Sequence, residues 1–269
     1  MTTTQPGYEV YALRYYTRQA QRDHEFHREA MYAEQFDDDL YMDYSFWLVR
    51  NEERIVLVDC GFDKARAAAK GRHQLQDPVE LLAVLGVAPE DVDEVIVTHM
   101  HYDHVGNIEL FPNAQVTMAR AEYEYWTGPY GARELMQIIV DPIETAIVTR
   151  LKEAGRLTLV EDEAEVAPGI RVERVGGHTP GQLIVEIQGT AGTIILASDA
   201  AHYYDEIDLD RPYNLFVDLG ELYGGYDRLR ELDRRDGTTV VAGHDPRVAG
   251  MFRETSDNVF DLNDQLRER

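Results

Sequence analysis

The run Thr98-His99-Met100-His101-Tyr102-Asp103-His104-Val105-Gly106-Asn107 decides how this chain is read. His99, His101, Asp103 and His104 put imidazole nitrogens and a carboxylate oxygen into a stretch too short for packing to account for them. These are the donor types that a borderline divalent metal takes. Adjacent side chains such as Asp103 and His104 diverge, so the four cannot all close on one tetrahedral ion, and two ions sharing the segment is the better geometry. The remaining ligands must come from elsewhere in the chain.

Just upstream, Val95-Ile96-Val97-Thr98 is a continuous apolar run of the kind expected for a central strand covered on both faces. The string His99-x-His101-x-Asp103-His104, after that strand and before Gly106, resembles the signature of the metallo-β-lactamase superfamily. Later pieces fit in order: His178 in Gly-Gly-His-Thr-Pro-Gly, Asp199 in Ala-Ser-Asp-Ala-Ala and His244 in Ala-Gly-His-Asp. The resemblance implies that His99, His101 and His178 hold one ion, that Asp103, His104 and His244 hold the other, and that Asp199 bridges them. It also implies an α/β fold, a four-layer αββα sandwich.

A pattern in the chain supports these positions independently. Ile170 to Val175 precedes the loop carrying His178, Ile194 to Ala197 precedes Asp199, and Val240 to Ala242 precedes His244. Each ligand lies just beyond an apolar strand, and a sheet gathers such ends together. Gly176, Gly177, Gly181 and Gly243 flank the ligands and suit tight loops.

Within the superfamily, the sequence is most similar to the N-acyl-homoserine lactonase branch, the quorum-quenching enzymes. That likeness implies two zinc ions per chain, with iron or manganese also compatible with the donor set. It implies a hydrolase of ester bonds that opens a lactone by attack of a metal-bridging hydroxide, with Asp103 delivering a proton to the departing alkoxide. The sequence departs from the branch at one point: His202 stands where a tyrosine follows the bridging aspartate by three residues, and Tyr203 and Tyr204 come next. Tyr102, His202 and Tyr203 are therefore candidate substrate contacts, and Asp103 and His202 candidate catalytic groups. Two other readings share parts of the pattern. A glyoxalase-II-like thioesterase uses all seven ligands but normally needs a basic patch; a mononuclear iron oxidoreductase similar to persulfide dioxygenases would use His99, His178 and Asp199 alone. A metal-stabilised scaffold without catalysis is the third alternative.

Composition narrows the partners. The 269 residues carry 50 acidic and 26 basic side chains, a net charge of −24. No Lys/Arg cluster offers a phosphate track, so nucleic acid is excluded as a substrate and a small ester or lactone is expected. No run approaches the length of a membrane span. The N-terminus shows no secretory pattern, and the lone Cys60 has no internal partner, so the expected address is cytoplasmic. Cys60 itself, in Asp59-Cys60-Gly61, reads as a buried small hydrophobe.

The remaining elements are read from period and punctuation. Tyr8 to Tyr16 is a first strand; Ser45 to Arg50 and Arg54 to Cys60 form a hairpin around Asn51-Glu52-Glu53. Between them, 17–43 shows no clean period and reads as an inserted arm or lid in a single 1–269 domain, one that covers the site mouth or contacts a second copy in a homodimer. Its His24 and His27 are not needed as ligands, and His73 reads as a solvated surface residue. Asp77-Pro78-Val79-Glu80 predicts a helix start with Asp77 as N-cap, Pro78 at the first position and Glu80 closing a capping box, and Gly86 its end. Helices are expected over 133–154 and 219–234, a strand over 182–188, and a closing helix from Arg253 onward.

Overall fold

Trp47 and Val49 alternate with Phe46 and Leu48 along one strand, and the two sets are buried in different core clusters. A strand covered on both faces needs a layer on each side. The computed structural model, which describes residues 7–34, 36, 39–69, 71–72 and 74–269, supplies both. Strands β1 (Glu9–Ala20), β2 (Leu40–Arg50), β3 (Ile55–Val58), β4 (Glu94–Ile96), β5 (Gln115–Ala119) and β6 (Leu157–Val160) build the larger sheet. Strands β7 (Glu163–Ala167), β8 (Ile170–Arg174), β9 (Leu183–Gln188), β10 (Thr193–Ser198) and β11 (Thr238–Ala242) build the smaller one. The chain then returns to the first sheet as β12 (Phe252–Ser256) and β13 (Val259–Gln265).

The larger sheet is 8-stranded, in the order β12-β13-β1-β2-β3-β4-β5-β6; the smaller is 5-stranded, β11-β10-β9-β8-β7. From β3 to β6 the neighbours are parallel, as are β10 and β11. One core cluster joins Trp47, Val49, Val58 and Ile96 to Val172, Val185 and Ile195 of the smaller sheet, and extends to Leu222, Tyr226 and Leu229 of the helix Leu219–Asp233. The other joins Phe46, Leu48, Leu57, Val95 and Val116 to Leu81 and Leu82 of the helix Pro78–Val84 and to Ile147 and Val148 of the helix Pro142–Glu153. Helices outside two packed sheets give the expected four-layer sandwich.

Four local expectations need correction. The segment from Arg253 is a hairpin, not a helix, because Asn258 takes a left-handed φ of 64° and turns β12 back into β13, whose Val259 and Phe260 pair with Leu13 and Ala12. The irregular stretch within 17–43 is shorter than expected: Thr17 to Ala20 extend β1 and Leu40 to Asp43 belong to β2, in register from Thr17 opposite Asp43 to Ala20 opposite Leu40. The helix expected over 133–154 starts only at Pro142, where Asp141 accepts from the Ile143 N–H and Glu144 accepts from the Asp141 N–H, a complete capping box. At Asp77 the aspartate accepts from Val79 N–H at 3.0 Å, while no return bond from Glu80 occurs among the described residues, so that start is capped on one side only.

Candidate metal centre

β4 stops at Ile96, and Val97 and Thr98 continue it, fully buried, to the first ligand. Leu183 N–H donates to the Thr98 carbonyl at 3.0 Å, so the mouth of the larger sheet is tied to β9 of the smaller one. The chain then coils into the short helix Tyr102–Val105, which turns Asp103 and His104 back toward the strand end. At the end of β10 the pairing with β11 slips between Leu196 and Ser198, and Ser198 adopts a φ of 47°. This irregularity re-aims the next side chain, Asp199, out of the ladder. His178 arrives on a loop that only glycine permits at one point. Gly177 has a φ of 85°, and a Cβ there would lie 2.4 Å from the Leu222 backbone.

The seven predicted ligands converge. Atoms of His99, His101, His178 and Asp199 lie within 4.8 Å of one another, and so do atoms of Asp103, His104 and His244. Asp199 divides its carboxylate between the two groups. Its Oδ2 lies 3.5 Å from His99 Nε2 and 3.2 Å from His178 Nε2; its Oδ1 lies 3.2 Å from His104 Nε2 and 3.0 Å from His244 Nε2.

Hydrogen bonds behind the rings fix which nitrogen faces inward. His104 Nδ1 pairs with Asp59 Oδ2 at 2.7 Å, His178 Nδ1 with the Leu215 carbonyl at 2.8 Å, His244 Nδ1 with the Asp43 carbonyl at 2.7 Å, and His99 Nδ1 with Thr98 Oγ1 at 3.1 Å. With Nδ1 engaged outward, Nε2 is the nitrogen that faces the centre in each of these rings. His99 Nε2, His104 Nε2, His244 Nε2 and Asp199 Oδ1 are buried without any hydrogen-bond partner. His101 turns Nδ1 inward, 2.9 Å from His178 Nε2. Buried acceptors facing one another cost free energy unless a proton or a cation lies between them. The donor set therefore fits two divalent cations.

Charge follows the same division. Burial, reinforced by the neighbouring imidazoles, holds His99 and His101 well below the usual histidine range, and burial also lowers His178. His104 moves the other way: burial opposes its protonation, but Asp199, Asp59 and Asp103 outweigh it and raise it well above that range.

His202 sits at the edge of this cluster, fully buried. Its Nε2 is 3.0 Å from Asp199 Oδ2 and its Nδ1 3.3 Å from Glu206 Oε1, and its ring stacks on Tyr213 with centroids 3.6 Å apart. Burial works against its protonation, but the two carboxylates raise it to about 10. Tyr102 lines a cavity of about 110 Å³ that opens onto the cluster, together with Arg18, Met42, Tyr44, Arg72, Ile139, Tyr213 and Leu215. Tyr203 does not line it. Its ring packs against Phe26 at 5.3 Å in the hydrophobic core, which removes the reason to expect it at the substrate.

Of the other residues weighed from the sequence, His27 packs edge-on against Phe216 at 5.0 Å, and neither it nor His24 belongs to the metal groups. His73, Asp37 and Asp38 lie outside the described residues. Cys60 is buried, and its thiol donates to the His104 carbonyl at 3.1 Å. Among the described residues no helix is long and apolar enough to cross a membrane.

Two functional residues escaped the sequence reading. Asp59, held at a φ of 60°, accepts from the Thr98 N–H, from Thr98 Oγ1 and from His104 Nδ1, and so orients ligands of both halves. Its Asp-Cys-Gly setting was the available signal. Glu122, wholly buried on the helix Arg120–Thr127, accepts from Met100 N–H, Gly181 N–H and Trp126 Nε1–H, pinning the His99 and His178 loops to each other. Nothing local to Glu122 announces that role.

Residues 43–244 match the Metallo-beta-lactamase superfamily, a span that runs from the carbonyl behind His244 to His244 itself. The chain belongs to that superfamily. Over 215 residues, 74% of this chain and 80% of the relative, it is 27% identical to a superfamily member from a Bacillus species, an N-acyl homoserine lactonase. An N-acyl homoserine lactone hydrolase solved with N-hexanoyl-L-homoserine at its catalytic metal centre shares the fold, with a TM-score of 0.73 at 21% identity over 93% of this chain and 98% of that one. So does AidC, a dizinc quorum-quenching lactonase, with a TM-score of 0.74 at 18% identity over 90% of this chain and 89% of that one.

Proposed function

We propose that this protein is a dinuclear zinc hydrolase that opens a lactone of the N-acyl-homoserine-lactone type. One observation carries the reading: seven donor side chains converge, the inward Nε2 atoms of His99, His104 and His244 and Asp199 Oδ1 are buried without a hydrogen-bond partner, and the Asp199 carboxylate is divided between two groups of imidazoles. When bound, two zinc ions activate a water near neutral pH and polarise an ester carbonyl, which is the chemistry that ring opening needs. Similarity to N-acyl homoserine lactonases over most of the chain directs that chemistry toward cyclic esters.

The chain's own groups divide the remaining work. His99, His101 and His178 hold one ion, and Asp103, His104 and His244 the other, with Asp199 orienting both. Asp103 borders the cavity and is positioned to pass a proton to the leaving alkoxide. His202 replaces the tyrosine of the lactonase branch as the donor to the substrate carbonyl oxygen, with Glu206 behind its other nitrogen. Met42, Ile139, Leu215 and the ring of Tyr102 give the substrate an apolar wall and keep water out.

Metal analysis of the purified protein, followed by a panel of lactones and thioesters, tests the proposal. About two zincs per chain with lactone opening is the expected result. One iron per chain without hydrolysis would sink it, and turnover of thioesters alone would shift the reading to a glyoxalase-II-like enzyme.

A further inference from the structure

Arg72 is the one cation lining the metal cavity whose charge is unspent among the described residues. Arg18, the other, is held in a bidentate pair with Glu25 at 2.8 Å through each oxygen. Other buried or half-buried arginines of this acidic chain find carboxylates, as Arg211 does with Glu29 and Arg228 with Glu173. The Arg72 guanidinium forms no hydrogen bond or ion pair among the described residues, and its Nη1 is buried with no partner. It is held instead by faces of aromatic rings, 5.0 Å from the centroid of Tyr102 and 5.7 Å from that of Tyr44.

Tyr102 lies between the ligands His101 and Asp103, so this bracket fixes the guanidinium beside the reacting centre. Of the other non-ligand lining side chains, His202 is turned toward Asp199 and Glu206, the tyrosines and aliphatic groups are neutral, and the carboxylates Asp103 and Asp199 belong to the metal groups. A guanidinium presents a rigid fork of donors that matches a carboxylate, whereas a neutral carbonyl needs no charge to be bound. Stacking on two rings pre-pays the ordering of a long side chain, which is useful only if the fork is to meet something.

We propose that Arg72 is a specificity-determining residue that binds a carboxylate on the part of the substrate remote from the scissile ester, so that this enzyme prefers acidic lactones to neutral ones. The proposal rests on the reading of the site as a lactone-opening centre. The acidity of the whole chain, −24, repels anions in general and makes one unpaired cation at the mouth selective for a substrate that can reach it.

The test compares, on zinc-loaded protein, homoserine lactone acylated with succinate, which ends in a carboxylate, with the same lactone acylated with succinamate, which ends in a neutral carboxamide. The wild type is expected to favour the carboxylate by about tenfold or more in kcat/KM, mainly through KM. In Arg72→Met that ratio falls to about one, and in Arg72→Lys an intermediate ratio survives because the charge is kept. Equal rates on the two lactones in the wild type, or an unchanged ratio in Arg72→Met, overturns the proposal. If neither lactone is opened, the lactonase reading fails by itself, and calorimetric binding of glutarate against glutaramate decides the role of Arg72. Tighter glutarate binding that is lost in Arg72→Met supports the role; equal binding refutes it.

Discussion

His99 and His178 are backed by neutral groups, a threonine hydroxyl and a backbone carbonyl, whereas His104 is backed by the Asp59 carboxylate. The imidazoles of the centre are therefore pushed in opposite directions. Burial keeps His99 and His101 neutral, while three carboxylates pull His104 toward its protonated form against the cost of burial. A neutral imidazole accepts a metal directly, but a protonated one must first give up its proton. A metal taken up at His104 would displace a proton, whereas His99 and His101 would bind one as they stand.

The most severe way to break this comparison is to remove what the halves share. Asp199→Ala is expected to abolish both metal binding and lactone opening together; a purified variant that keeps two ions and full rate would refute the bridging role. His178→Ala and His244→Ala should separate the halves, each losing about one ion per chain and costing more than the roughly 100-fold that loss of an outer partner costs. Metal counts by mass spectrometry under native conditions distinguish them, and identical loss of both ions in each variant would show that the halves do not exist independently. His202→Phe is expected to lower turnover roughly 100-fold with both ions retained, as removal of a hydrogen bond made to the reacting oxygen does. Unchanged kinetics on the true substrate would return His202 to a structural role.

Two smaller effects sharpen the contrast. Asp59→Asn should weaken the ion on the His104 side by roughly 10- to 100-fold and the other ion less, because Asp59 pairs directly with His104 but reaches His99 only through Thr98. Acid should act on the same side. His104 has its pKa raised well above the usual histidine range, so protons compete best there, and as the pH falls the ion on the His104 side is expected to leave before the ion on the His99 side. Stepwise loss of one equivalent and then the other, followed by competition with a metal-sensitive dye, checks the order; simultaneous loss would contradict it.

Much of this was legible because ligand chemistry is local. A histidine-aspartate run after an apolar strand carries its meaning in the residues themselves, and so do glycines beside a strand-end ligand. The closing hairpin was not legible: Arg253, Glu254 and Asp261 are charged because β12 and β13 close the sheet at its solvent edge, and the alternation they interrupt looked helical. Asp257-Asn258 was the overlooked turn signal. The late start of the helix Pro142–Glu153 was likewise written in Asp141-Pro142-Ile143-Glu144, the same spacing whose N-cap was read at Asp77. Tyr203 shows the converse error, since an aromatic next to His202 in sequence turns into the core in space.

The chain by itself determined the donor run at 99–104 and the apolar strands that precede each candidate ligand, which depend on residue type and short-range period, while the ligand assignment and the four-layer architecture were read through the resemblance those residues carry. Tertiary structure alone decided which nitrogen of each imidazole faces the centre, that Asp59 and Glu122 stand behind the ligands, and that Arg72 has no counter-ion among the described residues. Those properties arise where β3 lies against β4, where the helix Arg120–Thr127 meets two loops, and where two aromatic rings bracket a guanidinium. Proton position and charge pairing are set by neighbours in space, and residues far apart in the sequence become such neighbours only when the sheets close.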